Sequence, residues 1–564
     1  MFSLKSNRLQ QAKILLLSKP IVLLLFALLP LFTCQSKKSA KEAFLPESVV
    51  YQAKNYTELI IDSALIQSYF KHHPAPTAIV EDVQHFYSRR NFQFAWFTKN
   101  GISPAAANFI SLLESYKNDF DDHSLENVYL DTLFPSIQSD EKAFLKNIHH
   151  VLDLELLLTT QFFKYAQKVY GGSIDNPLDL NWFIPSKKKN FQTLLDTLVS
   201  ISDGQKIQEP VNPYYLRLKE KLIQYRQIQK NGGLPTVYSL KEAKSKGDSA
   251  RLLLNLKTYL YLLGDLRTTN LTQYYDDSTM KSIAHFQRRF GLKESGELDK
   301  ATLYEMNQPI SLRIKQMMLN MERLRWLPLD IENKYILVNI PAFRLYIFDS
   351  SKPVESMNVV VGKEATETII FKGKISTIII NPYWEIPYSI AKNEIIPHLK
   401  RNRNYLKSNN MEVLVNNVVI NPNTIRWRRY STNFPFKFRQ KPGPDNALGK
   451  IKFLFPNNYN IYLHDAPSKH LFERSKRAFS HGCIRVADPI KLALYILKSD
   501  TTWNAQRIDS TMMDNTPYPI AIKPTFPVYI TYFTSWADSK GDLHFREDLY
   551  GLDKKLSAEI FGSE

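Results

Sequence analysis

Cysteine is almost absent: the 564 residues contain two, Cys34 and Cys483. A framework of several disulfides is thereby excluded, and each thiol has to be explained by itself. Long apolar runs are missing after the N-terminal region, so no later segment is suited to cross a bilayer as a helix. No Cys/His/carboxylate cluster has the spacing of a zinc site, and nothing requires a metal or other cofactor. The 73 Lys and Arg against 55 Asp and Glu, formally +18, would suit nucleic acid. None of the base-reading or RNA-binding motifs is present, however, and no nucleic acid is expected as a partner. With 44% hydrophobic and 12% aromatic residues the chain can build real cores. Its length suggests roughly three or four domains.

What is there begins at the N-terminus. Lys5, Arg8, Lys13 and Lys19 precede the apolar residues 21–32. Leu31-Phe32-Thr33-Cys34 follows and resembles a lipobox, whose cysteine becomes the acylated first residue of a mature lipoprotein. On that reading residues 1–33 are a signal peptide, Cys34 is the lipidation site and the polar residues 34–47 are a tether. An uncleaved signal anchor is the alternative. The chain is then exported and held at a membrane, with Cys483 its one free thiol. Spare thiols oxidise or pair in such surroundings, which makes a lone one a candidate nucleophile.

Cys483 stands in Ser480-His481-Gly482-Cys483-Ile484-Arg485, 19 residues after His464. A free thiol titrates near ~8.5, so a thiol nucleophile needs a neighbouring base or cation. His464 and His481 are the two candidates. Gly482 lets the backbone approach a substrate, and the amides around Cys483 could point at a developing oxyanion. Asp488 and Pro489 read as the cap and first residue of an apolar helix that pins this segment. The plainer alternative is an ordinary buried cysteine.

A histidine, a gap, then Ser-His-Gly-Cys, an apolar residue and Arg resembles the signature of YkuD-type L,D-transpeptidases, cysteine enzymes that cross-link peptidoglycan stem peptides. The resemblance implies that Cys483 attacks the carbonyl between the third and fourth residues of a tetrapeptide stem. D-alanine leaves, and a neighbouring stem's side-chain amine resolves the thioester as a 3→3 cross-link. His464 matches the general base. Asp465 would orient it through its backbone carbonyl, its carboxylate being incidental. The N–H groups of Gly482 and Cys483 would form an oxyanion hole, with Ser480 and His481 as site support. Arg485 either binds a stem carboxylate or braces the loop. Tyr462 and Trp384 either wall the substrate cleft or pack in the core. The excess positive charge would then face a wall rich in carboxylates and phosphates. Hydrolysis of the same thioester, an L,D-carboxypeptidase activity, is one alternative; a non-catalytic peptidoglycan-binding lipoprotein is another.

The rest of the chain extends the resemblance to the larger YcbB-type enzymes and implies a multidomain α+β fold. Residues 48–248 read as a helical scaffold, with one long helix over 143–170 carrying His149 and His150. An aromatic-rich stretch from Tyr87 to Trp96 looks like a segment near the start of that family. Residues 249–307 resemble a small three-helix peptidoglycan-binding domain, through Phe286-Gln287-Arg288-Arg289-Phe290-Gly291-Leu292 and Gly296-Glu297-Leu298-Asp299. Residues 308–334 form a connecting helix. Residues 335–500 are the mostly β catalytic domain, with Val- and Ile-rich strands near 335–340, 343–348, 357–361 and 375–380. Within it, about 389–446, basic and aromatic around Trp427, is a partly helical capping insertion. Residues 501–564 form a C-terminal segment.

Overall fold

A computed structural model describes residues 57–200, 208–239, 246–269 and 271–562. The expected signal peptide, Cys34 and the tether lie outside the described residues.

Strands rich in β-branched and aromatic residues build the catalytic region. In chain order its sheet contains β1 (Trp182–Phe183), β2 (Lys334–Asn339), β3 (Arg344–Asp349), β4 (Lys352–Gly362) and β5 (Ile370–Ile380). Then come β6 (Ile451–Leu454), β7 (Leu463–His464), β8 (Ala478–Ser480), β9 (Ile484–Val486) and β10 (Tyr518–Thr531). In space the order runs β6-β7-β9-β4-β3-β2-β10-β5, and β5 pairs back onto β6. The sheet therefore closes into a barrel, which removes free edges from the ring. Most neighbours are antiparallel, but β7 with β9 and β2 with β10 are parallel. β1 lies outside the ring beside the start of β5, and β8 beside the end of β4.

One expected boundary is corrected by this topology. Residue 500 is too early an end for the catalytic domain, because β10 pairs with both β2 and β5 and completes the ring. The helical scaffold is tied into the same sheet. It supplies β1 to the sheet, and one hydrophobic core runs without a break from Ile61 to Leu556. β2 is buried on both faces from Tyr335 to Asn339, and Tyr214 of the helix Pro213–Lys230 hydrogen-bonds Tyr335 through their hydroxyls. At the joint Trp182 meets Trp326 edge-on, 5.5 Å between centroids. The buried Glu322 carboxylate accepts the N–H groups of Ser173 and Ile174 and pairs with Arg325 at 2.7 Å. Gly172, at φ +95, passes so close to Glu322 that a side chain there would collide with the carboxylate.

The long helix expected over 143–170 is also interrupted. Glu141–Leu145 ends, Ile148–Ala166 begins, and a wide turn Gln167–Gly171 follows. Asn147 has extended backbone and its side chain accepts the His150 N–H, so it caps a new helix instead of continuing the old one. Further on, the helices Lys246–Leu262, Asp277–Arg289 and Lys300–Met306 form the small module, the last two capped by Asp276 and Asp299. The insertion carries a four-stranded sheet of Trp384–Ile386, Met411–Val415, Val418–Ile420 and Lys437–Gln440. It packs around Leu399, Trp427 and Phe438 in a cluster of its own.

Candidate active site

The two residues of β7 lie between β6 and β9, and register sets His464 opposite Lys452 on one side and Arg485 on the other. Residues paired across strands share a face, so one imidazole and two cations are presented together. The Nδ1 atom of His464 is 2.5 Å from the Asp465 carbonyl oxygen. A carbonyl only accepts; Nδ1 therefore carries the proton and Nε2 keeps its lone pair. The Asp465 carboxylate, expected to be incidental, is a buried fastener. It accepts the N–H groups of Ala466 at 2.7 Å and Lys450 at 2.8 Å and pairs with Lys469 at 2.6 Å. It thus ties the turn before β6 to β7. Gly449, at φ +62, leaves the space that this carboxylate occupies.

Cys483 sits half-buried between β8 and β9, its Sγ 3.6 Å from the Asn460 carbonyl oxygen. The Tyr462 hydroxyl hydrogen-bonds the sulfur and accepts from the Trp384 indole. The Tyr462 ring meets His464 edge-on at 5.6 Å, and the Lys452 ammonium lies 3.9 Å from its centroid. Tyr462 therefore reaches the thiol, and Trp384 reaches Tyr462. Among the described residues no hydrogen bond joins Sγ to His464. Such contacts commonly tighten only once substrate is bound.

The loop is held by short polar links. Gly482 has φ +108, a conformation that favours glycine, and its carbonyl accepts the Thr368 hydroxyl at 2.8 Å. Thr366 donates to the Ser480 carbonyl, and Tyr550 bridges Gly362 and Thr368. The Ser480 hydroxyl donates to the Cys483 carbonyl at 2.5 Å and accepts the Gly482 N–H at 3.2 Å. Of the two amides expected to face an oxyanion, Gly482's is thus directed at Ser480. The amide of Cys483 makes no hydrogen bond among the described residues. His481 turns toward the insertion, its Nε2 3.2 Å from Glu394.

Burial and the nearby Arg485 and Lys452 push His464 down to about 3. Burial pushes the Cys483 thiol up, against the opposing pull of Tyr462, Lys452 and Arg485. The resting pair is therefore a neutral imidazole and a neutral thiol, with two cations placed to stabilise the thiolate as it forms. Arg485 is half-buried, its Nε has no hydrogen-bond partner, and no carboxylate pairs with it among the described residues. Sequence reasoning missed Lys452, Asn460, Thr368 and Tyr550. Only Lys452 left a signal, as the one charge in the short apolar strand β6.

Fold and site together define a β-barrel domain with a histidine and a cysteine beneath an inserted cap. The chain matches the family model of the "L,D-transpeptidase catalytic domain" over residues 333–529. It also matches a "Scaffold domain" over 81–222 and a "Putative peptidoglycan binding domain" over 251–306. These domains in this order fit a YcbB-type multidomain L,D-transpeptidase. A curated relative from Haemophilus influenzae, named "Putative L,D-transpeptidase", is 33% identical over 248 residues, 44% of this chain. The match spans 50% of that relative's length. Solved L,D-transpeptidases from Stackebrandtia nassauensis and Xylanimonas cellulosilytica are each 13% identical. The first covers 53% of this chain and 96% of its own with a TM-score of 0.21; the second covers 48% and 92% with 0.16. Superpositions this weak add nothing to the topology described above.

Proposed function

We propose that the protein is a peptidoglycan L,D-transpeptidase of the bacterial cell envelope, forming 3→3 cross-links through a thioester on Cys483. The observation that carries this reading is His464, a buried imidazole whose Nδ1 faces the Asp465 carbonyl and which register places between Lys452 and Arg485, the two cations that act on the Cys483 thiol. Nε2 takes the thiol proton as Sγ attacks the carbonyl between the third and fourth stem residues. Lys452 and Arg485 favour the charge on sulfur as it develops. The free Cys483 amide receives the oxyanion; one such donor is typically worth about 100- to 1000-fold in rate. Burial disfavours the imidazolium, which returns its proton to the departing amine, and D-alanine leaves. In the second half the acceptor amine attacks the thioester, gives a proton to Nε2, and the thiol is restored.

Arg485, which pairs with no carboxylate among the described residues, suits a stem carboxylate. Glycan and stem peptides are the partners, and a lipid on Cys34 would hold the enzyme at the membrane facing the wall. The test is incubation of the chain with a disaccharide-tetrapeptide followed by mass spectrometry. A cross-linked dimer with released D-alanine is expected. Tripeptide alone would mean a carboxypeptidase, and unchanged substrate would overturn the reading. Mass of the N-terminal peptide checks the anchor: an unacylated Cys34 in the native protein rules it out.

A further inference from the structure

A cleft of about 990 Å³ lies where the small helical module meets β3, β4 and the C-terminal residues 536–547. Neither Cys483 nor His464 lines it. Three guanidinium groups converge on it: Arg344 from β3, Arg477 from just before β8 and Arg546 from the C-terminal segment. Burial and mutual repulsion lower Arg477 and Arg546 to about 10.

The hydrogen bonds of these three go to neutral oxygens. Arg344 donates to Asn358 at 2.9 Å and Ser356 at 2.5 Å. Arg477 donates to the carbonyls of Arg474 and, at 3.2 Å, Phe343, and its buried Nε has no partner. Arg546 donates to the carbonyls of Arg289, Phe545 and Arg288, clamping the module against the barrel. Of the seven carboxylates lining the cleft, five are paired elsewhere: Glu305 to Arg313, Glu355 to Lys491, Asp538 to His544, Asp542 to His285 and Glu547 to Lys476; the other two, Glu294 and Glu473, form no ion pair with the three guanidinium groups. Like charges gathered away from water destabilise a fold, and stability alone gives no reason to keep them. Planar guanidinium groups with spare donors are the side chains that grip carboxylates. Phe343 lies under Arg477 at 5.4 Å, and Trp536 is covered by Arg546 at 5.2 Å and by the His544 ring stacked on it at 4.9 Å.

We propose that this cleft is a second, non-catalytic peptidoglycan site, in which Arg344 and Arg477 hold a stem-peptide carboxylate. The site rests on the peptidoglycan reading above. It would hold a strand across the joint between module and barrel while another stem is processed at Cys483.

The test is co-sedimentation of the full chain carrying Cys483→Ala, which cannot turn substrate over, with purified sacculi. Adding Arg344→Gln and Arg477→Gln is expected to weaken binding about tenfold or more, since charge-assisted bonds to a carboxylate are lost. The thermal midpoint should hold or rise, because repulsion is removed. Sacculi whose carboxylates have been amidated should retain the unsubstituted chain no better than the double variant. Undiminished binding by the folded double variant overturns the proposal. So does release by millimolar inorganic phosphate from amidated sacculi, which would mark a phosphate site. Turnover of soluble disaccharide-tetrapeptide by the double variant with Cys483 intact should match wild type. If wild type itself turns nothing over, the catalytic reading fails while sedimentation still reports on the cleft.

Discussion

The barrel and the cap are consecutive in sequence yet built on different terms. The barrel shares one core with the scaffold helices, so Trp182, from a segment far upstream and outside the ring, belongs to the same core as Ile375. The cap keeps a cluster of its own around Trp427 and meets the nucleophile loop through polar contacts, the Trp384–Tyr462 hydrogen bond and the His481–Glu394 pair. Apolar burial couples elements strongly, whereas half-exposed ion pairs couple them weakly. The candidate catalytic groups therefore sit on the more strongly coupled partner.

The largest effects should come from the barrel's reacting pair. Cys483→Ala is expected to abolish turnover and to prevent acylation by a carbapenem, whose β-lactam carbonyl is an electrophile for the thiol. An adduct that persists in that variant by intact mass would identify another nucleophile. His464→Gln should slow acylation by about 100- to 10,000-fold with the fold intact, measured as adduct formation over time.

Next in size is the joint. Trp182→Ala should cost about 3–5 kcal/mol and lower a single unfolding transition seen by helix and strand signals together. Two separated transitions would mean that scaffold and barrel are independent after all. His464 also makes the barrel acid-sensitive. Its folded value near 3 lies below the 6.5 of the free group, so the unfolded chain takes up a proton that the folded one refuses. Stability is lost as pH falls from 6.5 towards 3, and denaturant midpoints of His464→Gln should decline less over that range.

On the cap side, Trp427→Ala empties the smaller core and should loosen the cap, with faster amide exchange confined to residues 384–440. The barrel's transition should move by under about 1 kcal/mol; a larger shift would break the comparison. Smallest of all is Glu394→Gln, about 0–1 kcal/mol on stability because both partners are half-exposed. Its effect should appear instead in KM for the stem substrate, through the position of the cap.

The motif carrying the candidate nucleophile and base and the four early strands were legible because they are local. A motif of neighbouring residues and a two-residue alternation survive in one dimension. The N-cap at Asp488 was written in the same way. The break at Asn147 was less visible, since an apolar helical period continues across it while a single side-chain bond decides where the helix restarts.

What only the tertiary structure decided is which distant segments share a surface. β1 and β10 join the barrel from either side of the motif-bearing region, through backbone hydrogen bonds that no side-chain pattern announces. Lys452 reaches the thiol because β6 and β7 pair in one particular register. Arg344, Arg477 and Arg546, spread over some 200 residues, become a cluster only when three segments fold together. Whether a charge is paired, buried or exposed depends on that assembly. Sequence by itself determined the chemistry available at Cys483 and His464; folding determined their protonation, because burial and neighbouring charge are properties of the packed state.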